Sequence, residues 1–131
     1  MRFMMMVKGD KDYEAGRPPD PKLIAALGKH TEEAVKAGVV IGIGGLQPSS
    51  MGARVQVAEG KVTVTDGPFA EAKELIGGYA IAQVKSKAEA IELAKNFMKI
   101  HVDVLGPSYE GECEVRQMFD EGECGSGRGQ S

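Results

Sequence analysis

Asp66, Glu71, Lys73 and Glu74 crowd one short segment, Asp66-Gly67-Pro68-Phe69-Ala70-Glu71-Ala72-Lys73-Glu74. A carboxylate in a cleft can take up and release a proton when a partner tunes it. Asp66 is the candidate general acid or base. Lys73 could hold a substrate carboxylate, Glu74 could carry a proton, and Glu71 could line the mouth of the same pocket. A plainer reading stands beside this one. Asp before Gly-Pro is ordinary turn chemistry, because its side chain bonds the backbone two residues on. The remaining charges would then be a solvated loop with ion pairs each worth ~0–1 kcal/mol. His30 is the second catalytic candidate. It borders the apolar stripe of the first long helix, from which it could face the barrel and serve as a base. Its plainer role is a bordering residue with one hydrogen bond. His101, expected at the end of the second helix, reads as a cation suited to the helix dipole.

The elements that must position these groups follow from periodicity. Arg2-Phe3-Met4-Met5-Met6-Val7-Lys8 is a strand with a continuous apolar interior, so both of its faces should be covered. Residues 9–19 are polar and turn-rich and read as a surface loop. Asp20 fits an N-cap with Pro21 at the first helical position, and Gly38 fits the stop. Leu23, Ile24, Leu27, Thr31, Ala34 and Val35 form the helix's apolar stripe. Residues 39–46 are a second strand weakened by Gly42, Gly44 and Gly45. Residues 54–58 and 61–65 alternate around Glu59-Gly60, a hairpin signature. Residues 77–84 are a further apolar strand, so the charged loop runs between two strands expected to be buried. Ser86 and Glu89 make a capping box for a second helix running to about His101. Residues 102–111 read as an irregular connection and 112–119 as the last strand.

Setting the hairpin aside, the order is a split βαβ, ferredoxin-like α+β arrangement. A sheet with helices on one face needs cover for the other. A second copy of the chain is the simplest cover, so the expectation is a homodimer forming a dimeric α+β barrel. Residues 1–120 are read as one domain and 121–131, rich in Gly and Ser, as a disordered tail.

Composition narrows the function classes. The chain has 131 residues, 42% of them hydrophobic, and a net charge of −3. That is enough for one real core. No basic stripe points to nucleic acid. No apolar run approaches the ~18 residues that cross a membrane. The N-terminal run 3–7 is too short for a signal peptide, so a cytoplasmic location is expected. Cys113 and Cys124 form no CxxC pair, and the two histidines lie far apart, so no metal site is expected. Gly42-Ile43-Gly44-Gly45 is half a dinucleotide fingerprint with Gln47 in place of the third glycine, and no cofactor is expected. The methionines of the first strand could shape a soft apolar cavity or simply pack the core.

The tetrapeptide Asp66-Gly67-Pro68-Phe69, followed by Glu71, Lys73, Glu74, Gly77, Gly78 and Tyr79, resembles the YCII-related proteins of the DGPF type. The start Met1-Arg2-Phe3-Met4-Met5, the segment Gly44-Gly45-Leu46-Gln47-Pro48 and the close Gly111-Glu112-Cys113-Glu114-Val115-Arg116 fit the same pattern. The resemblance covers roughly residues 1–120. It implies a fold similar to muconolactone isomerase and other dimeric α+β barrels. It also implies that Tyr79 belongs with Glu71, Lys73 and Glu74 in a substrate-binding set. YCII-type relatives carry a His and an Asp proposed as a catalytic pair. Their His follows the first strand, where this chain has Gly9-Asp10-Lys11-Asp12, so only Asp66 matches. Some DGPF-type relatives lie beside, or are fused to, extracytoplasmic-function sigma factors. Two functions are therefore expected as alternatives. One is a cofactor-independent enzyme acting on a small organic acid or lactone by proton transfer. The other is a non-catalytic ligand-binding or regulatory module, possible partner of a sigma-factor system.

Overall fold

A computed structural model describes residues 1–70 and 74–120. Its centre is β1 (Arg2–Lys8), flanked by β5 (Ile76–Gln83) and β6 (Cys113–Gln117), with β2 (Val40–Gly45) outside β5. The sheet order is β2-β5-β1-β6 and every pairing is antiparallel. Helix α2 (Pro21–Lys36) links β1 to β2, and α3 (Lys87–Leu105) links β5 to β6. Two such crossovers on one antiparallel sheet are the split βαβ, ferredoxin-like α+β arrangement.

Register decides which residues form the core. Phe3 opposes Ala82, and Met5 opposes both Ala80 and Val115. Directly opposed residues share a face of a sheet. Phe3 is 2% exposed and packs with Met5, Ala82, Val84, Ala90 and Ala94 under the helices. Small residues at 82, 90 and 94 let α3 approach the strands closely. Met4 opposes Ile81 and Met6 opposes Tyr79, so these four lie on the other face of the sheet. The apolar run of β1 thus splits between a face under the long helices and an opposite face on which Met6 is buried while Met4, Tyr79 and Ile81 are half-buried.

The helix ends follow local chemistry. The Asp20 side chain accepts the Lys22 N–H at 2.8 Å, Pro21 opens α2, and Gly38 turns the chain at φ 75°. The Ser86 hydroxyl accepts the Glu89 N–H at 3.1 Å, and the Glu89 carboxylate accepts the Lys85 N–H at 3.1 Å. Helix α3 runs past His101 to Leu105 and stops at Gly106, with φ 96°. His101 is therefore not at the helix end. It is 8% exposed, its Nδ1–H donates to the Phe97 carbonyl at 3.1 Å, and its ring stacks on Tyr109 at 5.1 Å. The imidazole fills a gap between α3 and the chain leading to β6, which is a packing role.

Two further expectations are corrected. Residues 9–19 are not all loop: Asp10 accepts the Tyr13 N–H at 2.8 Å and caps the short helix α1 (Lys11–Glu14). The hairpin of β3 (Ala53–Ala58) and β4 (Lys61–Asp66) forms, with Glu59 and Gly60 at φ 51° and 77° as a tight turn of this kind requires. It pairs only with itself among the described residues, however, so the strand before the charged loop is exposed, not buried. Val55 opposes Val64 and Val57 opposes Val62, at 67%, 66%, 74% and 67% exposure. Alternation alone predicts a half-buried strand; here no second layer of the same chain meets it. The expected tail, 121–131, lies outside the described residues.

Candidate functional site

Strand β4 ends at Asp66, which pairs with Ala53, and the chain then turns through Gly67, a cis Gly67–Pro68 bond and Phe69. What holds this turn comes from distant residues. After Pro48 the chain makes one 3-10 turn, Ser49–Met51. The Gly67 N–H donates to the Gly52 carbonyl at 2.9 Å, and the Phe69 N–H donates to the Ser49 hydroxyl oxygen at 2.9 Å. Pro68 has no N–H to satisfy. The Arg54 guanidinium sits 3.9 Å from the centre of the Phe69 ring, a cation–π contact. Gly67 lies flat against the Ser49 carbonyl, and any Cβ there would overlap it.

Ser49 is itself clamped. Its N–H donates to Glu14 Oε2 at 2.9 Å and its hydroxyl donates to Glu14 Oε1. Both carboxylate oxygens are thus spent on one residue. This fixes the direction of the Ser49 O–H and leaves its lone pairs for Phe69. Next to Glu14, the Tyr13 ring lies on Gly9 and Gly77, and its O–H donates to the Gly77 carbonyl at 2.9 Å. Burial pushes the Tyr13 hydroxyl pKa up, the contact with the Leu46 backbone opposes this, and the Glu14 carboxylate adds to the rise. Tyr13 therefore stays a protonated donor well above neutral pH. Helix α1 works as a peg: Tyr13 pins the start of β5, and Glu14 pins the Ser49 turn that carries residues 67–69.

The sequence candidates fall in different places. Asp66 is exposed, and its carboxylate makes no hydrogen bond or ion pair with a described residue. It does not cap its own turn, because the turn's amides are taken by Gly52 and Ser49. Glu74 is exposed at the far end of the loop. Glu71 and Lys73 lie outside the described residues. Tyr79 lies half-buried over Gly44, whose Cβ would stand 2.8 Å from its ring. That contact explains why β2 carries Gly at 44. His30 is half-buried between α2 and α3, with its ring 6.1 Å from that of Phe97. No hydrogen bond joins it to Asp66. The fold brings Asp66 and Glu74 to one exposed loop and places His30 in the helix layer.

Tyr13, Glu14, Ser49 and Arg54 are the site residues that sequence reasoning missed. The one local sign was Asp10, three residues before Tyr13 and typical of an N-cap. Nothing in the chain's periodicity links Glu14 to Ser49 across 35 residues, or Ser49 to Phe69 across 20. Among the described residues, no group of three or more His, Cys, Asp or Glu is placed to hold a metal ion. No described helix is long and apolar enough to cross a membrane.

The class of protein is a ferredoxin-like α+β unit whose 66–69 turn is seated on the Ser49 turn. The model of the YCII-related domain matches residues 1–101, and the chain belongs to that family. It is also 30% identical over 99 residues to an uncharacterised protein of Rhizobium meliloti (strain 1021), a match that spans 76% of this chain and 75% of the relative.

Proposed function

We propose that this YCII-related protein is a small enzyme that binds an organic acid or lactone beside the turn of residues 66–69 and moves a proton with the Asp66 carboxylate. One observation carries this reading: the turn is held by Gly52, Ser49, Glu14 and Arg54, while the Asp66 carboxylate is spared from holding it. A rigid support with an uncommitted carboxylate at its edge is what a positioned acid or base requires. Lys73 and Glu71 are the substrate-orienting groups of this proposal, with Glu74 and Tyr79 at its margins. His30 serves in it only through a partner subunit or a substrate that reaches the helix layer. A panel of small organic acids and lactones in D2O, followed by NMR, tests the idea through solvent-proton exchange at carbon. For any substrate found, Asp66→Asn should lower turnover at least about tenfold. The midpoint of thermal unfolding should move by no more than about 2 °C, since Asp66 is exposed. Unchanged turnover in that variant would remove Asp66 from the chemistry.

We also infer a homodimer in the cytoplasm. Met4, Tyr79 and Ile81 stay half-buried around the buried Met6 on the sheet face away from the long helices, and a second copy would complete their cover. Light scattering at micromolar concentration should give roughly twice 13.9 kDa. A mass of one chain would defeat the inference. A second functional reading is a non-catalytic ligand-binding or regulatory module, in a sigma-factor system or another. The exposed valines of the hairpin, 55, 57, 62 and 64, favour it, because such a patch suits a protein surface better than water.

A further inference from the structure

A cleft of about 380 Å³ opens between α3 and the edge strand β6, on the helix side of the sheet and away from the turn at Asp66. One wall is a helix stripe. Lys87, Ile91 and Lys95 recur every fourth residue and form the outer ridge, and Ala94 and Met98 form the inner one. From 87 to 98 the stripe is about 16 Å long at the helical rise. The other wall is Cys113 and Val115 on the helix-facing side of β6, with Gly111 just before the strand. Ala94 and Cys113 present small side chains to the cleft, and Gly111 has no side chain because the Tyr109 ring fills the space its Cβ would take.

Its charge is unlike that of the whole chain. The net charge of the protein is −3, yet the charged side chains in the lining are two lysines. The carboxylates of β6 point elsewhere. Glu114 is held by Lys8 at 3.9 Å and by Arg116 at 2.9 Å, and Glu112 by Lys8 at 3.9 Å. Burial pushes the Cys113 thiol pKa up, so that wall stays neutral at physiological pH. The carboxylate that approaches the rim is Glu92, 3.9 Å from Lys95 in a loose, exposed pair. Lys87 also stands at the first position of α3, where the helix dipole is positive.

We propose that this cleft binds an amphipathic monocarboxylate, with its apolar chain along Ile91, Met98 and Val115 and its carboxylate at the Lys87 end of the rim, Lys95 adding to the positive field. The volume falls in the range of small-molecule sites, and an apolar lining with a few charged groups at the rim is their usual make-up. The two lysines set the sign of the head group, and the mainly apolar lining favours an apolar chain behind it. The proposal does not rest on any role for Asp66.

The test uses the full chain, labelled with nitrogen-15, and two probes below their self-association limits: decanoate and its uncharged counterpart decanol. Decanoate should shift the amides of 87–98 and 111–115 with an affinity better than about 1 mM. It should slow alkylation of Cys113, followed on the peptide that contains it, at least about threefold at saturating ligand. Decanol should bind about fivefold more weakly. The double variant Lys87→Gln/Lys95→Gln should lose about fivefold for decanoate and nothing for decanol. Both substitutions are at exposed helix positions, so the fold should be kept. Equal binding of the two probes, full decanoate affinity in the double variant, shifts confined to other surfaces, or no binding near 1 mM would each overturn the proposal.

Discussion

Gly67→Ala should destabilise the protein by about 2–4 kcal/mol, or release the 66–69 turn from its seat. The new methyl group has no space, because the Ser49 carbonyl and the Ser50 backbone occupy it. Those atoms are backbone, held by the Glu14 clamp, so they cannot swing aside as a side-chain tip could. Two outcomes are open to the chain. It can strain the Ser49 turn, which carries the full steric cost into global stability. Or it can lift the loop away, losing the Gly67–Gly52 and Phe69–Ser49 hydrogen bonds and the Phe69 contact with Arg54. Each lost neutral hydrogen bond is worth about 0.5–1.5 kcal/mol, and the cation–π contact about 0.5–1 kcal/mol. Both routes end in the same range, and amide hydrogen exchange at Phe69 separates them. Gly45→Ala is the control, since a Cβ at Gly45 meets nothing and its backbone is ordinary strand. It should lie within about 0.5 kcal/mol of the parent. A Gly67→Ala protein with parental stability and parental Phe69 protection would show that the turn is not seated on Ser49.

The contrast between those two glycines also shows what was legible in the sequence. Features written in neighbouring residues came through. Asp20-Pro21 and Gly38 bracket α2, Ser86 and Glu89 open α3, and Glu59-Gly60 marks the hairpin. These signals act within one turn of chain, and the alternation of apolar residues then orders the strands. Helix α1 escaped because four residues give too little periodicity to register, although Asp10 marks its start. The end of α3 lies beyond His101, where Val102, Val104 and Leu105 continue the apolar pattern up to the stop at Gly106, a signal the reading of 102–111 as irregular passed over. The valines of the hairpin were misplaced because alternation reports that one face is apolar, not that something covers it. The turn at Asp66 lies where Asp-Gly-Pro places it, but its support is not local. Local chemistry assigned its support to the Asp66 side chain. The structure gives it to Ser49 and Gly52, and the Asp66 side chain takes no part in it. His30 was legible as a bordering residue of α2, but its distance from the turn depends on which layer the helix occupies, and pattern alone does not carry that.

Replacing Glu14 by Ala should cost about 2–3 kcal/mol, and Glu14→Gln about 1 kcal/mol. Glu14 accepts from both the N–H and the O–H of Ser49, and hydrogen bonds to a charged acceptor are worth about 1.5–3 kcal/mol each. The site is only partly buried, so water would replace some of that loss. Gln keeps one acceptor oxygen for the Ser49 N–H. Its amide N–H can donate to the Ser49 hydroxyl oxygen, which has two lone pairs and uses one for Phe69. The variant therefore retains most of the geometry. Ser49→Ala removes the hydroxyl link to both neighbours but leaves its N–H to Glu14. The two sites share one network, so their effects should not add: the double variant should fall short of the sum by at least about 1 kcal/mol. Chemical denaturation of the four proteins gives that coupling. Phe69 amide exchange should quicken in Glu14→Ala even though Glu14 does not touch Phe69, because the carboxylate fixes which way the Ser49 hydroxyl points. Additive effects, or an unaltered Phe69 amide, would mean that Glu14 merely satisfies its own neighbour. In that case the turn beside Asp66 would owe its rigidity to Gly67 and the Gly52 carbonyl, and α1 would have no part in placing the candidate acid.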